Sequence, residues 1–193
     1  MLVFACDKTM ACPLLRVAII GPESSGKSTL TLSLQSRLAH CGVFAIAVAE
    51  YARIYYAERE YHPEPHDVLA IAKGQLAAEQ AALQLAPEIL LCDSTVLTCQ
   101  IWAEVSFGVA EDQLSALNQP QTYDVTLLAC PDIPWTHDRL RSHETGRDGL
   151  LARYRAALRQ AGVDWVEISG EGGQRDQLAW QALRNKWPHL PKI

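Results

Sequence analysis

No stretch of this 193-residue sequence approaches the roughly 18 uninterrupted apolar residues that a membrane-spanning helix needs. The opening Met1-Leu-Val-Phe-Ala-Cys6 is too short an apolar run for a signal peptide, and Asp7 and Lys8 interrupt it. No membrane partner is therefore expected. The six cysteines, at 6, 12, 41, 92, 99 and 130, contain no CxxC pair and no spacing that would hold zinc. Cys92 and Cys130 end apolar runs, where cysteine behaves as a small hydrophobe, so reduced thiols and a cytoplasmic setting are expected. A net basic surface is also missing: the formal net charge is -5, which argues against a general nucleic-acid binder. Internal repeats and low-complexity tracts are absent as well.

What remains has the composition of an ordinary globular domain, 49% apolar and 20% charged. The length suits one domain, without need of disulfides or a structural metal. Short apolar runs alternate with longer helical patterns, which predicts an α/β fold with a five-stranded parallel sheet between helices. The strands are Leu14 to Ile20, Val43 to Ala49, Ile89 to Cys92, Val125 to Ala129 and Trp165 to Ser169. Helices are expected from Ser28 to Cys41, His66 to Leu85 and Val96 to Phe107, with an aromatic and charged stretch from Glu50 to Tyr61. Residues 1–13 read as a flexible leader, in which Met10 is an alternative start, and 14–193 as the domain.

Gly21-Pro-Glu23-Ser24-Ser25-Gly26-Lys27-Ser28 satisfies the pattern GxxxxGK[ST] directly after a predicted strand and at the start of a predicted helix. Glycines let the backbone curl so that successive N–H groups face phosphate oxygens, and the helix amino end adds partial positive charge. Lys27 is placed to reach the β- and γ-phosphates, and the Ser28 hydroxyl, followed by Thr29, to ligate Mg²⁺. Asp93 ends the third apolar run, where it either serves that Mg²⁺ or caps the next helix, as do Ser94 and Thr95 by residue type. Glu50 follows the second strand and opens on the same rim of the sheet, the edge where open α/β folds bind ligands. It is the candidate to bind an acceptor hydroxyl and take its proton. Arg53, one helical turn on, either pairs with Glu50 or faces the substrate.

Six of the 17 basic residues, Arg139, Arg141, Arg147, Arg153, Arg155 and Arg159, fall between Asp138 and Gln160. The last three read as a solvated helix face. Arg139, Arg141 and Arg147 precede the helical pattern, in a polar stretch suited to a lid at about 134–150 over a polyphosphate. From Gly74 to Asp138 there are nine carboxylates and no Lys or Arg, which reads either as an acidic wall attractive to a cation or as an ordinary acidic surface. The lack of DxxG and NKxD elements argues against a GTPase switch. A kinase for a small acceptor and an ATP-binding module without chemistry remain; an arginine-bearing lid and a carboxylate after the second strand favour the kinase.

From Arg16 to Leu183 the sequence resembles the NadR-type nicotinamide riboside kinases, P-loop proteins found inside a multifunctional NAD-biosynthesis regulator and as stand-alone chains. The resemblance rests on Gly21 to Leu30, on Glu50-Tyr-Ala-Arg53, on Asp93-Ser-Thr-Val-Leu-Thr98 with Trp102, on Pro134-Trp-Thr-His-Asp138 with Arg141 and Arg147, and on Ile168-Ser-Gly170. It implies Mg²⁺-dependent transfer of phosphate from ATP to the ribose 5′-hydroxyl of nicotinamide riboside. By position, Lys27 and Ser28 bind phosphate and metal, Asp93 serves the metal, Glu50 and Arg53 face the acceptor, and Arg141 and Arg147 belong to the lid. Ala49 and Thr95 depart from the family, whose members carry an aromatic and an acid there. The missing aromatic leaves Tyr51, Tyr55 or Trp102 to stack on the acceptor's ring, with Trp102 also readable as core, and Gln75 as a further amide contact. A kinase of another nucleoside or nucleoside monophosphate is the alternative.

Overall fold

The computed structural model of the chain describes residues 14–138 and 145–191. Residues 1–13, Arg139 and Arg141 thus lie outside the described residues. Five strands, β1 (Leu15–Ile20), β2 (Ala45–Val48), β3 (Ile89–Asp93), β4 (Val125–Ala129) and β5 (Val166–Ile168), pair in parallel in the order β2-β3-β1-β4-β5. The register sets Ile19 beside Asp93, Val48 beside Cys92 and Ile20 beside Leu128. The residues that follow β1, β2 and β3 therefore emerge side by side on one edge. Among the described residues seven α-helices flank the sheet: α1 (Lys27–His40), α2 (Tyr51–Tyr55), α3 (Pro65–Leu83), α4 (Val96–Phe107), α5 (Asp112–Leu117) and α6 (Arg147–Gln160) between strands, and α7 (Gly173–Lys186) after β5. Among the described residues, no helix is long and apolar enough to cross a membrane.

Alternation along β1 divides the core in two, because successive side chains point to opposite faces. Leu15, Val17 and Ile19 pack with Leu30, Leu34 and Leu38 of α1 and Trp180 and Leu183 of α7. Ala18 and Ile20 face the other way, onto Leu97 and Ile101 of α4 and Leu151 and Leu158 of α6. Val48, Leu90 and Cys92 meet Ala82 of α3 on that second face. Helices on both faces explain why the strands read as continuous apolar runs.

Two expectations change. Arg147 does not precede a helix: Gly146, at φ +84°, turns the chain and α6 starts at Arg147 itself. Arg155 is not merely a solvated residue, since its guanidinium grips Glu167 of β5 with Nε and Nη2 at 2.7 and 2.8 Å. Arg159 lies over the Trp165 ring, 5.7 Å from its centroid, and Arg153 is exposed as expected.

Glu79 of α3 is 1% exposed, yet it is charged-residue chemistry inside a core. Arg16 of β1 reaches it at 3.2 Å, and the Tyr123 hydroxyl donates to it at 3.0 Å. Burial raises the Glu79 pKa, while Tyr123 and Arg16 pull it back down. A carboxyl whose folded pKa is raised holds its proton longer in the native state, so stability falls as pH climbs from the ordinary carboxylate range toward the raised value. Arg16→Met removes the compensating charge. It is expected to cost roughly 3 kcal/mol at neutral pH, and its urea midpoint should decline with pH above about 4.3 more steeply than the parent's; parallel pH profiles would contradict this role.

Candidate active site

The loop from Gly21 to Ser28 runs from the end of β1 into α1, and its shape depends on backbone that few residues adopt. Gly21 has φ +141°, and a Cβ there would collide with the Ala129 carbonyl oxygen at the end of β4. Gly26 has φ +78° directly before α1, and even Ser24 lies in the left-handed region at φ +52°. Side chains hold the turn. Ser25 Oγ donates to the Pro22 carbonyl at 2.7 Å, and Ser24 Oγ exchanges hydrogen bonds of 3.2 Å with the Thr136 carbonyl and N–H. Lys27 Nζ, almost fully buried, folds across the loop to the Gly21 and Pro22 carbonyls at 3.0 and 2.9 Å.

Asp93 ends β3 and is 3% exposed. Burial raises its pKa, against a hydrogen bond from Ser28 and the charge of Lys27. Its Oδ1 has no hydrogen-bond partner among the described residues. It does not cap α4: the N-cap is Thr95, and no side chain caps that helix. A hydroxyl and a buried, half-satisfied carboxylate beside the loop fit Mg²⁺, which usually takes one or two protein ligands and completes its shell with phosphate and water. Among the described residues no cluster of three or more His, Cys, Asp or Glu could hold a metal unaided.

Glu50 is the N-cap of the short α2, beside the loop. Its carboxylate lies 3.4 Å from Arg53 Nε, and Arg53 Nη1 also donates to Asp138 at 2.7 Å. Burial lowers the Arg53 pKa, but the Asp138 hydrogen bond and the charges of Glu50, Asp138 and Asp93 outweigh it, so the guanidinium is held firmly charged. Arg53 both pairs with Glu50 and lines the cleft, so the two readings of it coexist. The same helix is docked on α3 through Gly74, where any Cβ would run into the Tyr51 ring, and Gln75, whose Oε1 accepts the Tyr51 N–H at 2.9 Å. Gln75 is 2% exposed, and its Nε2 has no partner among the described residues.

Together these elements enclose a cleft of about 180 Å³ between the phosphate loop, α2, α3, α4 and α6. Glu23, Ser24, Ser25, Lys27, Ser28 and Thr29 line one side. Glu50, Tyr51, Arg53, Gln75 and Trp102 line the other, whereas Asp93 sits behind Ser28, hydrogen-bonded to it. Trp102 is half-buried and packs edge-on against Phe107, so it serves the core and the cleft at once. Tyr55 does not line the cleft; its hydroxyl donates to Asp67 at 2.5 Å. Burial pushes the Cys99 thiol up to about 12, which leaves it no thiolate character for chemistry.

The acidic wall is not there. Glu79 turns to Arg16, Glu88 accepts the Phe44 N–H, Asp124 the Arg16 N–H, and Asp132 pairs with Arg175. The stretch from Gly74 to Asp138 runs through α3, β3, α4, α5 and β4, so its carboxylates do not gather in one wall; Asp93 and Asp138 alone reach the site, around Arg53. The acids lining the cleft are Glu23 and Glu50. Nor does Arg147 reach into open space: Nη1 and Nη2 bind the Ile133 carbonyl at 3.1 Å, and Nη1 also binds that of Ser24 at 3.2 Å.

Three residues had no motif to announce them. Tyr61 and Tyr154 line the cleft from the loop after α2 and from α6. Arg175 of α7 binds the back of the phosphate loop, its Nη2 2.6 Å from the Ser25 carbonyl. A signal for Arg175 exists in the sequence: a cation in the first turn of a helix opposes the macrodipole and needs a compensating partner.

A phosphate loop between β1 and α1 of a parallel sheet, with a carboxylate ending the neighbouring strand, defines a P-loop NTPase fold. Residues 16–175 match a family model described as AAA domain, and the chain belongs to that family. Within it the chain is similar in sequence and in fold to NadR proteins. It is 31% identical over 131 residues to the trifunctional NAD biosynthesis/regulator protein NadR of Escherichia coli (strain K12), and equally to that of Salmonella typhimurium (strain LT2); each match covers 65% of this chain and 30% of the relative. Crystal structures of NadR protein in complex with NAD and AMP-PNP, and in complex with NR, share the fold with TM-score 0.70 at 20% and 19% identity. They cover 93% of this chain, which spans 51% and 53% of theirs.

Gly21→Ala tests the loop geometry, because the added methyl must lift the loop off Ala129. Calorimetric affinity for Mg²⁺-ADP is expected to fall at least about tenfold, or ~1.4 kcal/mol, while an unchanged affinity would show that this turn does not set binding.

Proposed function

We propose that the protein is a kinase that transfers the γ-phosphoryl group of ATP to the 5′-hydroxyl of nicotinamide riboside, giving nicotinamide mononucleotide and ADP. The observation that carries this reading is the side-by-side placement of the loop after β1, Asp93 at the end of β3 and Glu50 after β2. A hydroxyl held at Glu50 then approaches a terminal phosphate held at Lys27. The relatives' roles in NAD biosynthesis, and the NR bound in one structural neighbour, support the acceptor assignment.

Inward-facing N–H groups of the loop and Lys27 bind the triphosphate. Ser28 and Asp93 would hold Mg²⁺, which when bound neutralises charge on the β- and γ-phosphates. Glu50 orients the acceptor hydroxyl and receives its proton as the oxygen attacks the γ-phosphorus and the bond to the β–γ bridging oxygen breaks. Arg53 fixes Glu50 and offers positive charge to the transferring group. Tyr51, Tyr61 and Trp102 supply aromatic walls for the pyridinium ring, compensating for Ala49. Gln75 offers its unpartnered amide N–H to the ligand. Arg147 braces the phosphate loop through the Ser24 carbonyl, and Arg141, outside the described residues, is the arginine assigned to a lid that excludes water and protects ATP from hydrolysis.

Release of ADP with a panel of ribosides and deoxyribosides tests this directly. Turnover is expected with nicotinamide riboside, none with Lys27→Ala, and roughly 10²-fold less with Glu50→Gln. Preference for another nucleoside would reassign the acceptor but keep the chemistry; ADP release that ignores every acceptor would overturn the kinase assignment.

A further inference from the structure

The order β2-β3-β1-β4-β5 lays out the edge of the sheet as a sequence of stations. Glu50 follows β2, Asp93 ends β3, and the phosphate loop follows β1. A nucleotide whose terminal phosphate points toward Asp93 and Glu50 must run its other end the opposite way, over the loops that follow β4 and β5. Where both of those loops meet the phosphate loop stands the guanidinium of Arg175. Arg175 is 7% exposed and binds three separate segments. Its Nη2 donates to the Ser25 carbonyl at 2.6 Å and to the Cys130 carbonyl, just past β4, at 3.2 Å. Its Nη1 donates to Asp132 Oδ1 at 2.6 Å and to the Gly170 carbonyl, just past β5, at 3.4 Å. The second oxygen of Asp132 accepts the Gly170 N–H at 2.6 Å.

A loop that turns its N–H groups toward a phosphate must turn carbonyls away from it. The buried ones need donors, and a charged planar fork satisfies several at once in fixed geometry. We propose that Arg175 is a positioning residue for the nucleotide. It holds the Ser25 carbonyl outward, so that the loop amides are set for phosphate before it arrives. Together with Asp132 it locks the Gly170 turn beside them, where the nucleoside end lies. It never touches the acceptor, so its loss weakens nucleotide binding and leaves acceptor affinity alone. A lysine keeps the charge but not the fork, and replaces it poorly.

This rests on nucleotide binding at the phosphate loop and not on the identity of the acceptor, so it is measured first as Mg²⁺-ADP affinity without any acceptor. Arg175→Gln is expected to weaken that affinity, and to raise KM for ATP, by about tenfold or more, and Arg175→Lys by somewhat less. KM for the acceptor and kcat at saturating ATP should stay within about threefold. Asp132→Asn, which spares the bonds to Ser25 and Cys130, provides the reading should Arg175→Gln fail to fold, and is expected to weaken ADP about threefold or more. Folded variants with unchanged ADP affinity, or with KM rising equally for ATP and acceptor, would overturn the proposal. Failure of nicotinamide riboside to react, with ADP binding lost as described, would instead count against the acceptor alone.

Discussion

A closed turn of backbone at the end of β1, whose Gly21, Pro22, Ser24 and Ser25 carbonyls are all held by side chains, is the constraint on which the rest of the site depends. The turn needs left-handed backbone at Ser24 and Gly26 and the close approach of Gly21 to Ala129. None of that is stable in an isolated peptide, where carbonyls take water. In the folded chain Lys27 binds the Gly21 and Pro22 carbonyls, Arg147 that of Ser24, and Arg175 that of Ser25. Three cations from three elements thus brace a loop whose proposed ligand is a polyanion. Arg147 and Arg175 satisfy loop carbonyls from α6 and α7, and Lys27 is the cation that the proposed function turns to the phosphate; all three add positive potential around the turn.

The proposed division of labour follows from strand order rather than from any one side chain. Placing β3 between β1 and β2 leaves Asp93 between the phosphate loop and Glu50, so metal, phosphate and acceptor stations are neighbours by construction. On the acceptor side α2 is short, and its docking depends on Gly74 and Gln75 of α3. That makes the position of Glu50 a property of helix packing, much as the position of the phosphate loop is a property of its backbone braces.

Periodicity in the sequence was enough for β1, β3 and β4, whose residues are buried on both faces and give unbroken apolar runs, and α4 and β4 have the boundaries expected for them; β2 and β5, less buried, are shorter than the 43–49 and 165–169 expected. The phosphate loop was legible because its backbone requirement is written in glycines. What escaped depends on partners distant in sequence. Arg147 reads as a lid residue until Gly146 is seen to start a helix, and Arg175 meets Ser25 from 150 residues away. The basic-poor stretch after Gly74 suggested an acidic wall because composition carries no direction. In the fold Glu79, Glu88, Asp124 and Asp132 turn to separate partners, and only Asp93 and Asp138 come together, around Arg53. The cleft's aromatic lining was half visible: Tyr51 and Trp102 sit near motifs, whereas Tyr61 and Tyr154 arrive from a loop and from the face of α6.

The most direct measurement is a crystal structure of the protein with a non-hydrolysable ATP analogue, Mg²⁺ and nicotinamide riboside. The account predicts the triphosphate wrapped by the amides between Gly21 and Ser28, its terminal phosphate on Lys27, and the riboside's 5′-oxygen hydrogen-bonded to Glu50 and aimed at the γ-phosphorus. A nucleotide seated away from that loop, or a riboside whose 5′-oxygen points away from Glu50, would contradict it.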